Sequence, residues 1–138
     1  MRVMVIVKAN KDSEAGVLPS TEMLTKVGKY NERLVQAGVM LAGEGLKSSA
    51  KGKRVKFSGG ARLVTDGPFA ETKELIAGFW LWRVNSMQDA VEWLKEAPYD
   101  GGEEVEIREV FESCGAHDLA PELREQERHL AEQIAATN

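Results

Sequence analysis

The segment Leu75–Val84, LIAGFWLWRV, is the sequence feature that most limits how this chain can fold. Its aromatic and branched residues predict a β-strand. Because successive side chains of a strand point to opposite faces, this strand presents large apolar groups on both faces of its sheet. One set is Phe79 and Leu81, and the other is Trp80 and Trp82. The first predicted strand, Arg2–Lys8 (RVMVIVK), is also apolar on both faces, so both faces of the sheet must be covered.

Other patterns predict two helices and a helical tail. Ser20 is placed to cap a helix that runs to about Ala37. Asn85 or Ser86 caps a second helix, which Pro98 closes. A hairpin turn is predicted at Phe57–Ala61, before the short strand RLVT. An alternating strand is predicted over Glu103–Glu112, with Val105, Ile107 and Phe111 on one face. A polar tail helix is predicted from Pro121. The order β-α-β-β-α-β, followed by the tail helix, is typical of an α+β ferredoxin-like fold with one antiparallel sheet.

The two helices of such a fold cover only one face of the sheet. An uncovered apolar face is an aggregation hazard, and a second copy packed sheet to sheet about a twofold axis would remove it. We therefore predict a homodimer. The alternative is that the tail helix folds back over the open face. That helix is less suited to the task, because its apolar anchors are only Leu123, Leu130 and Ile134.

Composition bounds the class of protein. The net charge of −4 argues against bulk binding to nucleic acid or to an anionic membrane. The single cysteine, Cys114, has no internal partner, which favours a reducing compartment. No apolar run approaches the roughly 20 residues of a membrane span, and the N-terminal run is too short for a signal peptide. We expect one domain with a short appendage in a soluble, cytoplasmic protein.

Neither a cofactor site nor a metal site is expected. No motif for a nucleotide, flavin or haem is present, and the Cys-x-x-His spacing of Cys114 and His117, followed by Asp118, lacks the second cysteine of a common zinc site. A basic run consists of Lys47, Lys51, Lys53, Arg54 and Lys56. Such a run can bind phosphate or nucleic acid, but a solvated loop leading into an edge strand is the favoured interpretation.

The stretch Thr65–Glu74, TDGPFAETKE, has the residues of a structural corner. Asp66 can accept backbone N–H groups in an Asx turn, Gly67 can adopt unusual φ values, and Pro68 fixes the direction of the chain. Phe69 is expected to fill an apolar hollow. This interpretation requires no chemistry.

A functional interpretation of the same region stays open beside the structural one. Asp66, Glu71 and Lys73 lie in one loop near a sheet face, where a carboxylate can act as a general acid or base and the lysine can hold an anion. Glu44, between two glycines in AGEGL, is the next candidate, either as a ligand-binding carboxylate or as part of a tight turn. Trp80 and Trp82 are expected in the core or at the dimer interface, with an aromatic wall for a ligand as the alternative.

Three stretches carry a resemblance to a known family: AGVMLAGEGL, VTDGPFAETKELIAGFWLWRVNSMQDAVEWLKEAP and GGEEVEIREVFE. Together they resemble the YCII-related family, in its DGPF-motif branch. The resemblance covers residues 1–112 and leaves residues 113–138 as a C-terminal helical extension. It implies a dimeric α+β barrel of ferredoxin-like subunits. Relatives include a dehalogenase of chlorinated muconolactones and proteins associated with or fused to sigma factors.

The chain departs from the enzyme-like branch of that family, which pairs a histidine on the first helix with an aspartate. Tyr30 is the only ring on that helix, and both histidines, His117 and His129, lie in the tail. No family catalytic residue therefore carries over. The sequence supports two hypotheses: a small-molecule site in a dimer cleft, with or without cofactor-free acid–base chemistry, and a non-catalytic module that contacts a protein such as a sigma factor through its tail helix.

Overall fold

The structure is a computed structural model of one chain, and it describes residues 1–71, 74–112 and 120–137. These described residues form six strands, four α-helices and one short 3-10 turn. In chain order these are β1 (Arg2–Lys8), α1 (Lys11–Glu14), α2 (Thr21–Gln36), β2 (Met40–Gly45), the 3-10 turn (Ser49–Lys51), β3 (Lys53–Ser58), β4 (Ala61–Asp66), β5 (Ile76–Arg83), α3 (Met87–Lys95), β6 (Val105–Glu109) and α4 (Pro121–Thr137).

Local signals set the ends of the two central helices as the sequence predicts. The Ser20 hydroxyl accepts a hydrogen bond from the Met23 N–H at 3.1 Å and so caps α2. Gly38, just past the end of α2, has φ of 73°, a left-handed conformation that glycine adopts without strain. Ser86 caps α3 in the same way, since its hydroxyl accepts from the Asp89 N–H at 3.0 Å.

Four strands form one antiparallel sheet in the order β2-β5-β1-β6. This order, with α2 and α3 as the connections, is consistent with a ferredoxin-like α+β fold and confirms the predicted class. β3 and β4 form a separate two-stranded antiparallel sheet, inserted in the chain between β2 and β5. The predicted turn at Phe57–Ala61 therefore exists, but its strands do not join the main sheet.

The core lies between the four-stranded sheet and the helices α2 and α3. It consists of Val3, Val5, Tyr30, Leu34, Val39, Trp80, Trp82, Val84 and Ala90. The Tyr30 ring meets the Trp80 indole edge to face, with centroids 5.9 Å apart, and the Tyr30 hydroxyl donates to the Trp93 carbonyl at 2.6 Å. Burial, helped by the Glu96 carboxylate, raises the pKa of Tyr30, so the hydroxyl remains a donor. The only ring of α2 is therefore part of the core.

Two glycines let the strands and indoles of this core approach closely. A Cβ atom on Gly43 would lie 2.8 Å from both Met40 Cε and Trp80 Cδ1. A Cβ atom on Gly78 would lie 2.9 Å from the Glu44 carbonyl oxygen of the neighbouring strand. Gly43 therefore makes room for an indole on the helix side of the sheet, which gives a packing reason for one of the two glycines beside Glu44.

Two segments differ from the sequence-based expectation. The predicted loop after β1 contains the short helix α1, which Asn10 caps. The Asn10 side chain accepts a hydrogen bond from the Ser13 N–H at 2.9 Å, and the Ser13 hydroxyl accepts one from the Asn10 N–H at 2.9 Å. The last strand is shorter than the predicted Glu103–Glu112. Val105 and Ile107 pack against the core as predicted, but Phe111 lies beyond β6 and is fully exposed.

The tail helix α4 begins at Pro121, as predicted, and every described residue of it is exposed. Its apolar residues stay about half exposed, at 47% for Leu123, 49% for Leu130 and 62% for Ile134. The apolar side of α4 is therefore not buried against the sheet in this chain. Among the described residues, no helix combines the length and the hydropathy that a membrane span requires.

The glycines around Glu44 provide a test of this packing. Gly43→Ala places a methyl group against Trp80 and should lower the free energy of unfolding by about 1–3 kcal/mol, the usual cost of overpacking a core. Gly45→Ala is the matched control, because a Cβ atom there has nothing within 4 Å. Urea denaturation of both variants measures the difference. Equal effects of the two substitutions would contradict the packing role of Gly43.

Candidate functional site

The face of the four-stranded sheet that points away from the helices is apolar at its centre. We call it the open face, and define it by Arg2, Met4, Ile6, Lys8, Ala42, Glu44, Phe79, Leu81, Arg83, Glu106 and Arg108. Cross-strand pairing aligns Leu81 between Met4 and Ala42, and Phe79 between Ile6 and Glu44. The four large apolar side chains of this face are each half-buried, and none of them belongs to the core between the sheet and the helices α2 and α3. This is the uncovered apolar face that the alternation of β5 predicts.

Charged side chains border the open face with opposite signs at its two ends. Glu44 and Glu106 flank the row of Phe79 and Ile6, and Glu44 is exposed. Glu106 pairs with Lys8 at 3.4 Å and lies 3.9 Å from Arg108. This end of the face therefore holds two carboxylates, of which Glu44 is the one on the β2 edge.

The other end of the open face is basic. Arg83 is exposed and lies opposite Arg2 across β5 and β1. Arg2 donates from Nε to the Glu112 carboxylate at 3.1 Å, and this hydrogen bond lowers the pKa of Glu112. Apart from these two ion pairs, the open face carries Glu44 at one end and Arg83 at the other.

The two tryptophans do not belong to the open face. Trp80 and Trp82 lie on the helix side of β5 with exposed fractions of 6% and 0%. The Trp80 Nε1–H donates to the Asn31 side chain of α2 at 2.9 Å. Trp80 and Trp82 are core residues, and the aromatic side chain aligned with Glu44 on the open face is Phe79.

The DGPF corner, Asp66–Phe69, is hydrogen-bonded to the 3-10 turn and to Gly52, the residue that follows it. The Gly67 N–H donates to the Gly52 carbonyl at 3.0 Å, and the Phe69 N–H donates to the Ser49 hydroxyl at 3.1 Å. A Cβ atom on Gly67 would lie 1.8 Å from the Ser49 carbonyl oxygen, so only glycine fits at this position. The corner thus packs on residues 49–52 backbone to backbone.

The Ser49 hydroxyl also connects the corner to the first helix. It donates to the Glu14 carboxylate, while the Ser49 N–H donates to the other oxygen of the same carboxylate at 3.0 Å. These bonds lower the pKa of Glu14. The neighbouring Ser48 hydroxyl donates to the Glu14 carbonyl at 2.6 Å. Sequence reasoning missed Glu14 and Ser49, because no local spacing links positions so far apart in the chain.

Asp66 and Phe69 have partners that the sequence did not predict. The Asp66 carboxylate forms an exposed ion pair with Lys53 across the β3–β4 hairpin, where an Asx turn was expected. Phe69 lies under the Arg54 guanidinium, 3.8 Å from the ring centroid, where an apolar hollow was expected. Both partners belong to the basic run: Lys53 contacts Asp66 and Arg54 contacts Phe69. As neighbours on β3 they lie on opposite faces of the hairpin.

The structure separates the predicted site residues into two regions. Glu44 belongs to the open face of the four-stranded sheet, while Asp66 ends the hairpin and is held by Lys53. Glu71 is exposed beyond the corner. Lys73 lies outside the described residues, as do the Cys114, His117 and Asp118 positions considered for metal binding. Within the described part of the chain, no group of three potential metal-ligating side chains comes together.

A comparison with protein families identifies the fold's relatives. A model of the YCII-related domain matches residues 1–113. The chain belongs to the YCII-related family. This YCII-related chain is also similar to an uncharacterised protein of Rhizobium meliloti (strain 1021), with 32% identity over 74 residues. That match spans 54% of the present chain and 60% of the Rhizobium protein.

The contact between Glu14 and Ser49 gives the fold a pH dependence of known sign. Since the folded-state pKa of Glu14 is lowered from 4.5, its stabilising contribution is complete above pH 4.5 and is lost as the pH falls through the folded-state pKa. We expect the stability difference between wild type and Glu14→Gln to be largest at pH 7 and to shrink below pH 4.5. Urea midpoints across this range measure it.

A double-substitution cycle with Ser49→Ala is the control for that measurement. In the Ser49→Ala background, the effect of Glu14→Gln on stability should be smaller at pH 7, because only the bond from the backbone N–H of residue 49 still holds the carboxylate. A stability difference that stays constant from pH 7 to pH 3 would contradict the role assigned to Glu14.

Proposed function

We propose that this YCII-related chain is a member of the DGPF-motif branch that forms a homodimer through its open face and binds a small molecule at the edge of that interface. The stretch TDGPFAETKE at residues 65–74 supports the branch. The observation that supports the proposed dimer is the half-buried apolar centre of the open face, around Phe79 and Leu81. A partner sheet on that centre completes a dimeric α+β barrel.

Charge supports the same arrangement. A twofold axis that runs between the two sheets, parallel to the cross-strand row of Leu81 and Met4, reverses the strand direction of the second sheet. It therefore brings the Glu44 end of one sheet toward the Arg83 end of the other. Opposite charges at the border of an apolar contact fix its register more than they raise its affinity. The proposed interface is thus apolar at its centre and charged at its rim, as stable homodimer interfaces are.

The proposed ligand site is the rim beside Glu44. Glu44 is exposed in the single chain and lies next to Phe79, so a partner sheet leaves it in a cleft with one apolar wall and one carboxylate. A carboxylate in a partly dry cleft can bind a hydroxyl or amine and can take up or release a proton. The ligand class is therefore a small organic molecule with an apolar body and a hydrogen-bond donor or acidic C–H. Any chemistry is cofactor-free proton transfer or elimination. We also propose that Asp66 and Glu71 of the corner loop contact the ligand once the dimer is assembled.

A second candidate function is a non-catalytic regulatory or interaction module in the cytoplasm, acting with a transcription factor such as a sigma factor. The observation that favours it is the exposed apolar side of α4, with Leu123, Leu130 and Ile134. The proposed compartment follows from the single cysteine of the chain. Removal of the residues after Cys114 separates the two candidates: it abolishes binding of the protein partner under this one and leaves small-molecule binding largely intact under the first.

The dimer is tested at Ala42, an exposed residue in the central row of the open face. Ala42→Arg should raise the dimer dissociation constant by about 100-fold or more, because it buries a charge without a partner. Ala37→Arg, at the exposed C-terminal end of α2, is the matched control and should leave the constant unchanged. Sedimentation equilibrium measures both, and circular dichroism checks the fold. A wild-type monomer at tens of micromolar, or an intact Ala42→Arg dimer, excludes the sheet-to-sheet contact.

Native mass spectrometry of freshly purified protein tests the ligand site. We expect a bound small-molecule mass on the wild-type dimer that is lost in Glu44→Gln, with the dimer itself retained. Glu32→Gln, an exposed glutamate of α2, is the matched control. Asp66→Asn tests the corner. Loss of the bound mass supports a role of Asp66 in ligand binding, while a loss of stability alone makes the corner structural. A bound mass that survives Glu44→Gln contradicts the site.

A further inference from the structure

Within the described residues, the β3–β4 hairpin and the helix α4 are the parts of the fold with the least cover. Every residue of β3 and β4 is exposed, and so is every described residue of α4. A two-stranded hairpin is at best marginally stable in water, and a lone helix of this length gains most of its stability from packing an apolar side. Each element therefore needs a partner surface.

One face of the β3–β4 hairpin is apolar at its centre. Val55 lies directly opposite Val64, and Phe57 lies opposite Arg62, whose guanidinium is 4.7 Å from the ring centroid. The exposed fractions are 49% for Val55, 71% for Phe57 and 62% for Val64. The ion pair of Lys53 with Asp66 closes the other end of this face. The face is a short apolar strip with Arg62 beside it.

α4 carries a matching stripe. Leu123, Leu130 and Ile134 are 7 and 4 residues apart, so they lie along one side of the helix. Glu127, four residues after Leu123, lies on the same side. The opposite side is occupied by Arg128, which pairs with Glu125 and with Glu132. The stripe therefore presents three apolar side chains and one carboxylate.

The two surfaces match in length and in charge. The stripe from Leu123 to Ile134 is about 16 Å long, and each hairpin strand spans about 17 Å. The hairpin strands carry four cations against one carboxylate, while α4 carries four glutamates against two arginines. Among the described residues, neither Arg62 nor Glu127 takes part in an ion pair. Contact between the surfaces would cover both apolar sides and pair these two charges.

We infer that α4 of one copy docks on the β3–β4 hairpin of a second copy, with its stripe on Val55, Phe57 and Val64 and with Glu127 against Arg62. The second copy is the occupant because, within one chain, the stripe and the hairpin face are both exposed. The inference rests on the homodimer proposed above and adds a reciprocal contact to it. Each dimer then contains two such contacts, related by the twofold axis.

The inference is tested by reversing one charge on each surface. Arg62→Glu and Glu127→Arg should each raise the dimer dissociation constant roughly tenfold and speed amide hydrogen exchange in residues 121–137. Mixing the two variants should restore both properties. In the mixed dimer each reversed hairpin meets a reversed helix, and each unchanged hairpin meets an unchanged helix. The matched controls are Lys56→Glu on the other hairpin face and Glu132→Arg on the other side of α4, which should leave the dimer dissociation constant near wild type.

Each outcome supports or overturns the docking of α4 on a second copy. Restoration of the dimer dissociation constant and of slow exchange on mixing supports docking between copies, since a contact within one chain cannot be repaired by a different chain. Restoration only when both substitutions are in the same chain overturns it in favour of docking within the chain. Fast exchange in α4 of the wild-type dimer also overturns it and leaves α4 for an external protein. If the reversed charges leave the dimer constant unchanged while Ala42→Arg raises it, the docking fails and the open-face dimer stands. If Ala42→Arg has no effect while the reversed charges do, the open-face dimer fails instead.

Discussion

The edge-to-face contact between Tyr30 and Trp80 is the interaction on which the rest of the structure depends. It fixes α2 against β5 and, with Trp82, determines which side of the strand faces the helices. Because strand side chains alternate, Phe79 and Leu81 must then point to the opposite side. The open face is therefore a direct consequence of the core, since no register of β5 could bury both pairs of residues beneath two helices.

Much of the fold could be predicted from the sequence because the relevant signals are local. The alternation of β5, the serine caps of α2 and α3, and Pro121 at the start of α4 each act within a few residues of the element they define. The short helix α1 was missed, although Asn10 and Ser13 form a capping pair that the sequence displays. The separation of the β3–β4 hairpin from the main sheet could not be predicted, since pairing between strands depends on the whole chain.

The candidate site was harder to predict for the same reason. Glu44 and Asp66 are both carboxylates near glycines, yet they belong to different sheets. Gly43 looked suitable for the approach of a ligand, but the space above it holds an indole ring. The link from Glu14 through Ser49 to Phe69 joins three distant positions of the chain. Composition and spacing identify the kinds of residue that a site uses, whereas the strand register decides which of them share a face.

The hydrogen bond from Gly67 to Gly52 has a consequence for how this fold can vary. The chain leaves the main body at Gly52 and returns at Gly67, so the hairpin begins and ends at a single fastened point. Longer or shorter hairpins can therefore be accommodated without moving β2 or β5, since added length at an exposed turn disturbs little else. The reach of the hairpin can thus diversify independently of Glu44 on β2, so the proposed ligand site and the proposed docking surface for a second copy can vary separately.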